Sequence, residues 1–266
     1  MELRVEGRRV HVYTGGRPDD PARPAVVLLH GSAQDHTVWL WQSRYLAHHG
    51  WRVLAVDLPG HGRSEGPPLP RIEDLAGWTA ALLEAAGAGR AVLAGHSMGS
   101  LVALETAATE PDRAAALVLV GTTFPMAVNE ALLAAARADD HAALDMVNLW
   151  GHGSAMHLGG HPVPGMWMLG AGIRLLERAA PGVLYTDLAA CNAYAAGLER
   201  ARRVRCPVLA ILGGADRMTP PRAARPLLDA LPGVREVVVP GAGHMLMVEA
   251  PDAVLDALRG FLAEAA

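Results

Sequence analysis

The sequence predicts an α/β protein with a mostly parallel, twisted sheet, helices on both faces and a helical insertion. Short continuous apolar runs recur along the chain, as expected of strands buried on both faces. Stretches with helical apolar spacing lie between them, and that alternation specifies parallel strands joined by helical crossovers. Over residues 125–203 the rhythm stops, and strand-like runs resume only afterwards.

The chain opens on a hairpin pattern: residues 3–6, a turn at Gly7-Arg8, then residues 10–13. Pro18, Pro21 and Pro24 mark a loop. The buried runs follow at residues 25–29, 53–56, 91–94, 116–120 and 208–212, with a similar one at 234–239. Residues 72–86 and 100–109 carry apolar side chains at helical spacing. Residues 253–263 place Val254, Leu255, Leu258, Phe261 and Leu262 on one helical face. The expected division is a core of residues 1–124 and 204–266 and a helical lid of residues 125–203. There is no internal repeat of fixed period.

Composition narrows the function. Half of the residues are hydrophobic but only 5% are aromatic, so the core must be aliphatic. All 23 basic residues are Arg, and the net charge is −4, which gives no reason to expect a polyanionic partner. The densest basic run, Arg200, Arg202, Arg203 and Arg205, is short, lacks interleaved aromatics and reads as a solvated face rather than a nucleic-acid site. Cys191 and Cys206 fit no redox or metal-ligand spacing, and a chain of this length needs no disulfide. The N-terminus has no signal-peptide apolar region. The most apolar stretch is broken by His96, Ser97, Ser100 and Glu105, so no membrane partner is expected and the default location is the cytoplasm. The sequence sets no oligomeric state.

The chemistry centres on Gly95-His96-Ser97-Met98-Gly99, which follows a buried strand and precedes a helix. This is the G-x-S-x-G pattern of a tight strand-to-helix turn, which needs glycines because side chains there would strike neighbouring backbone. The turn lifts the serine hydroxyl clear of the sheet and leaves it at a helix N-terminus, where negative charge is favoured. A serine needs a base to take its proton. His244, in a Gly-rich loop after the last strand, stands where that base is expected. Asp216, after residues 208–212, supplies the acid in the chain order Ser, Asp, His. Thr219 is expected to cap the helix near Pro220, and Glu249 to belong to the first turn of the final helix. An acyl-transfer site also needs N–H donors for an oxyanion. Ser32, in His30-Gly31-Ser32-Ala33, and Met98 are the expected pair.

These motifs, with Asp57-Leu58-Pro59-Gly60-His61-Gly62-Arg63-Ser64, Gly214-Ala215-Asp216-Arg217 and Gly243-His244, resemble the capped α/β-hydrolase superfamily over nearly the whole chain. The resemblance implies that Asp57 and His61 are structural. It also implies an acyl-enzyme mechanism on an ester or lactone of a small, largely apolar substrate, with no cofactor. Haloalkane dehalogenases and epoxide hydrolases carry Asp at the elbow where this chain has Ser97. C–C bond hydrolases usually carry Asn before the serine and Trp after the histidine, where this chain has His96 and Met245-Leu246-Met247. A C–C bond hydrolase, an acyltransferase or a non-catalytic ligand receptor of the same fold are the alternatives.

The lid is rich in Met and Trp, which suit an adaptable apolar pocket. Met146, Trp150 and Trp167 are its expected substrate contacts, with Trp39 and His96 from the core. His152, His157 and His161 lie close in sequence but lack a carboxylate or thiol to complete a set, so no metal is expected.

Overall fold

The computed structural model describes residues 1–265. Eight strands form one sheet: β1 (Glu2–Val5), β2 (Arg8–Tyr13), β3 (Ala25–Leu29), β4 (Arg52–Val56), β5 (Ala91–His96), β6 (Ala114–Val120), β7 (Val208–Gly213) and β8 (Arg235–Val239). Their order is β1-β2-β4-β3-β5-β6-β7-β8, antiparallel at β1–β2 and β2–β4 and parallel from β4 onward. β3 to β7 are buried along their whole length except at Ala115, which is why they read as unbroken apolar runs.

Alternate strand residues feed two cores. Val27, Leu29, Leu93, Leu117 and Leu212 point to one face, which α2 (Ile72–Ala85) and α3 (Met98–Thr109) help to cover. Val26, Leu28, Val92, Val118 and Ile211 point to the other, beneath Leu46 of α1 (Leu40–His48) and the C-terminal helix Pro251–Ala265. Each fully buried Leu or Val contributes about 1.5–3 kcal/mol relative to exposure. β8 differs from the inner strands. It is an edge, and Arg235 and Glu236 are exposed along with Val238.

Between β6 and β7 the described residues form six helices: α4 (Glu130–Arg137), α5 (His141–Gly151), α6 (Ser154–His157), α7 (Met168–Leu176), α8 (Val183–Ala193) and α9 (Gly197–Ala201). Leu132, Ala143, Leu176, Val183 and Leu188 form a third core there, which also takes in Ala33 from the loop after β3. No helix among the described residues is long and apolar enough to cross a membrane.

The parallel topology sends every crossover back to the same side, so the C-terminal ends of β3 to β8 open onto one edge of the sheet. The turn from β5 to α3 is the tightest of these junctions. A Cβ on Gly95 would collide with the Gly99 carbonyl, and one on Gly99 would come within 2.5 Å of the Leu29 carbonyl oxygen. Gly95→Ala should therefore destabilise the fold by about 3 kcal/mol, visible in thermal denaturation as a melting temperature lower by about 8 °C. An unchanged melting curve would contradict this packing.

Candidate active site

Ser97 occupies the β5–α3 turn with φ 52° and ψ −117°, a left-handed conformation that a residue with a Cβ adopts only under constraint. Its N–H donates to the Val120 carbonyl at 3.0 Å, tying the turn to β6. Met98 is the first residue of α3. Among the described residues, neither the Met98 N–H nor the Ser32 N–H donates to a protein acceptor. Both are therefore open to a ligand.

His244 lies in the loop after β8 and is buried. Its Nδ1 is 2.8 Å from Asp216 Oδ2 and 3.1 Å from Thr219 Oγ1. The Thr219 hydroxyl donates to the same Asp216 oxygen at 2.6 Å, and the N–H groups of Met218 and Thr219 donate to Asp216 Oδ1 at 2.8 Å each. Four donors on one carboxylate require it to be ionised. Burial alone would raise its pKa, but His244 and the Thr219 donors outweigh burial and hold it below the usual range. An ionised Asp216 on Nδ1 fixes the tautomer of His244 and leaves Nε2 free to accept a proton. Thr219 thus steadies Asp216 instead of capping the next helix, α10 (Pro221–Ala230), whose N-cap residue is Pro220.

Ser97, His244, Ser32, Thr219 and Trp150 line one cavity of about 320 Å³. Met126, Leu132, Leu188 and Met218 make most of its remaining wall apolar, while Asn129 and Arg217 add polar groups. Four expected contacts lie elsewhere. Trp39 is fully buried in the core under the sheet, because the turn that carries it packs against β3 and β4. His96 is not part of the cavity lining; its Nε2 donates to the His244 carbonyl at 2.9 Å and so supports the loop that carries His244. Met146, on α5, is partly buried and packs against the third core within the inserted helices. Trp167 precedes α7 and is 68% exposed. Composition marks a segment as pocket-like but does not show which face of each helix turns inward.

Glu249 was the least legible contributor. It sits in the short helix α11 (Leu246–Glu249), before the final helix α12 (Pro251–Ala265), and is buried. Its carboxylate accepts the N–H groups of Gly153, Gly243 and Met245 at 2.9, 3.0 and 3.2 Å. It thereby joins the inserted helices to the loop carrying His244. The only sequence signal was its position five residues after the histidine. Asp57 similarly accepts from His36 and from the Arg63 N–H. Its oxygens are thus already occupied in the His11, His36 and Asp57 cluster, whose potential ligand atoms lie within 4.8 Å of one another. His152, His157 and His161 each engage backbone carbonyls.

The chain belongs to the alpha/beta hydrolase family, whose model matches residues 26–257. It is 37% identical over 125 residues to epoxide hydrolase B of Mycobacterium tuberculosis, a match covering 46% of this chain and 35% of that protein. It thus aligns with about a third of that relative's length. The enol-lactonase of Burkholderia xenovorans superposes with a TM-score of 0.86 at 27% identity, covering 99% of this chain and 100% of that one. A thermophilic esterase superposes with a TM-score of 0.82 at 26% identity, covering 100% and 97%.

Two outcomes follow from the buried groups. His30 is held neutral, with its pKa pushed from 6.5 to about 4 by burial and by the charge of His61; His96 is lowered too, by burial and by His244. The unfolded chain therefore binds more protons below pH 6.5, so this stability is complete above 6.5 and is lost as the pH falls toward 4. Urea unfolding should show a loss of about 3 kcal/mol over that window from His30 alone; a flat profile would contradict it. Glu249→Ala should leave the Gly153 and Gly243 N–H groups unpaired, while the Met245 N–H keeps the Gly151 carbonyl, and destabilise the fold by about 2 kcal/mol or more, read from the same urea titration.

Proposed function

We propose that this protein is a serine hydrolase that cleaves a carboxylic ester or lactone of a small, largely apolar molecule through an acyl-enzyme. The observation that carries this is the hydrogen-bonded sequence from Asp216 to His244, which opens into the apolar cavity that also holds Ser97. In this reading His244 Nε2 takes the Ser97 hydroxyl proton as Oγ bonds to the substrate carbonyl carbon. The carbonyl oxygen becomes an oxyanion held by the Ser32 and Met98 N–H groups. The alcohol leaves with the proton from His244. Water then loses a proton to the same imidazole, attacks the acyl carbon and releases the acid with Ser97 restored.

The elbow serine supports carbonyl chemistry over epoxide opening, despite the epoxide hydrolase relative, because serine on a carbonyl gives an acyl intermediate that water hydrolyses readily. The enol-lactonase and esterase neighbours support the same reading. The cavity lining supports a small, mostly apolar acyl or alcohol part. Two buried cysteines that remain unpaired accord with a cytoplasmic location.

Ser97→Ala should lower kcat on p-nitrophenyl butyrate by about 10⁴-fold or more. A fluorophosphonate probe should label Ser97 in the native protein and label His244→Ala far more slowly, as read by mass spectrometry. Full activity in Ser97→Ala would overturn the assignment.

A further inference from the structure

His61 and Asp187 form a buried pair that the reaction above does not use. Asp187 lies on α8 among the inserted helices, His61 lies in the loop after β4, and each side chain is 1% exposed. His61 Nε2 stands 2.8 Å from Asp187 Oδ2, and Nδ1 stands 3.0 Å from the Pro59 carbonyl oxygen. A carbonyl only accepts, so Nδ1 carries a proton; an ionised carboxylate only accepts, so Nε2 carries one as well. The pair thus holds one proton more than a neutral imidazole beside a free carboxylate. Its loss would set two lone pairs against each other.

The surroundings agree with a charged His61. Burial alone would lower its pKa, but the charge of Asp187 and the hydrogen bond to it reverse this and raise it. The neighbouring His30, with its ring centroid 4.9 Å away, is the neutral partner: its Nε2 accepts from the Leu58 N–H and its Nδ1 donates to the Gly31 carbonyl. Asp57 is the other charge facing His61, and Cys191, near Asp187, is kept as a thiol by burial and by that carboxylate.

Asp187 reaches the catalytic edge through the same oxygen. Oδ2 also accepts the Ala33 N–H at 2.8 Å. Ala33 follows Ser32 directly, holds φ 54°, and packs its methyl among the inserted helices. On the other side of Ser32, the Gly31 N–H donates to Gln34 Oε1 at 3.0 Å. Asp187 Oδ1 has no partner among the described residues, so the whole grip of the carboxylate runs through Oδ2.

We propose that Asp187 is a positioning residue for the Ser32 N–H and that the proton shared with His61 latches it. The inserted helices then set the oxyanion loop through one proton-dependent contact, and substrate turnover falls when that proton leaves. The inference rests on the hydrolase reading, with Ser32 N–H as an oxyanion donor.

The test measures kcat and KM for p-nitrophenyl butyrate across neutral and alkaline pH in the native protein, Asp187→Asn, His61→Gln and Ser97→Ala, with circular dichroism to establish folding. Asp187→Asn should lose kcat by about tenfold or more, as for a misplaced oxyanion donor, with KM within about twofold. The native kcat should decline on the alkaline side. His61→Gln, whose amide N–H can donate to Asp187 without titrating, should keep most of the neutral-pH kcat and lack that decline. The His61 ring carbons should show an imidazolium by NMR at neutral pH, a readout independent of turnover. An unaltered kcat in folded Asp187→Asn, the same alkaline decline in His61→Gln, or a neutral His61 ring would each overturn the latch. Should Asp187→Asn not fold, the His61→Gln profile and the NMR signal decide. An active Ser97→Ala would instead sink the hydrolase reading, so the two failures are distinguishable.

Discussion

Everything at the candidate site depends on the strained turn at Ser97. A non-glycine residue in the left-handed region stays there only when its surroundings leave no other path. Here β5 ends against α3 so closely that neither Gly95 nor Gly99 has room for a Cβ, and the Ser97 N–H is fastened to β6. The strain is carried by the parallel sheet, whose inner strands are buried on both faces. Because the same topology brings the ends of β3, β4, β7 and β8 to that edge, the partners of Ser97 arrive on loops that need only short, specific anchors.

Those anchors are buried carboxylates. Asp216, Asp57, Asp187 and Glu249 are all nearly inaccessible, and none is paired with an arginine in the interior. Each instead accepts backbone N–H groups, and three of them also accept from a histidine ring. A buried charge without such donors would cost several kcal/mol; with them it becomes a multidentate clasp for irregular backbone. Asp216 sets the tautomer of His244, Glu249 fastens the loop on which His244 rides, and Asp187 grips the loop of Ser32. Two of the four also tie the inserted helices to the loops that carry His244 and Ser32. The cavity wall and the loops of Ser32 and His244 are therefore one mechanical unit.

Regular structure was legible where burial is two-sided or one-faced. The inner strands and α2, α3 and α12 are found within a few residues of the expected runs. The helix α1 was not read because it turns Gln42 and Ser43 inward, Gln42 donating to the Met247 carbonyl, and so lacks an apolar stripe. The helix expected near Pro220 is found as α10, even with Pro226 at its sixth position. The expected similarity of β8 to the inner strands fails because β8 is an edge with only one protected side.

The sequence by itself determined the fold class and nominated Ser97, Asp216 and His244, since each follows a strand in a pattern whose glycines and order have steric reasons. Only the tertiary structure decided which side chains meet. Trp150 reaches the cavity whereas Trp39, His96, Met146 and Trp167 do not, and Thr219, Glu249 and Asp187 turned out to hold the site. The reason is physical. Strands and elbows are dictated by local sterics and hydrophobic period, whereas anchors join residues as far apart as Ala33 and Asp187, and no local pattern encodes that distance.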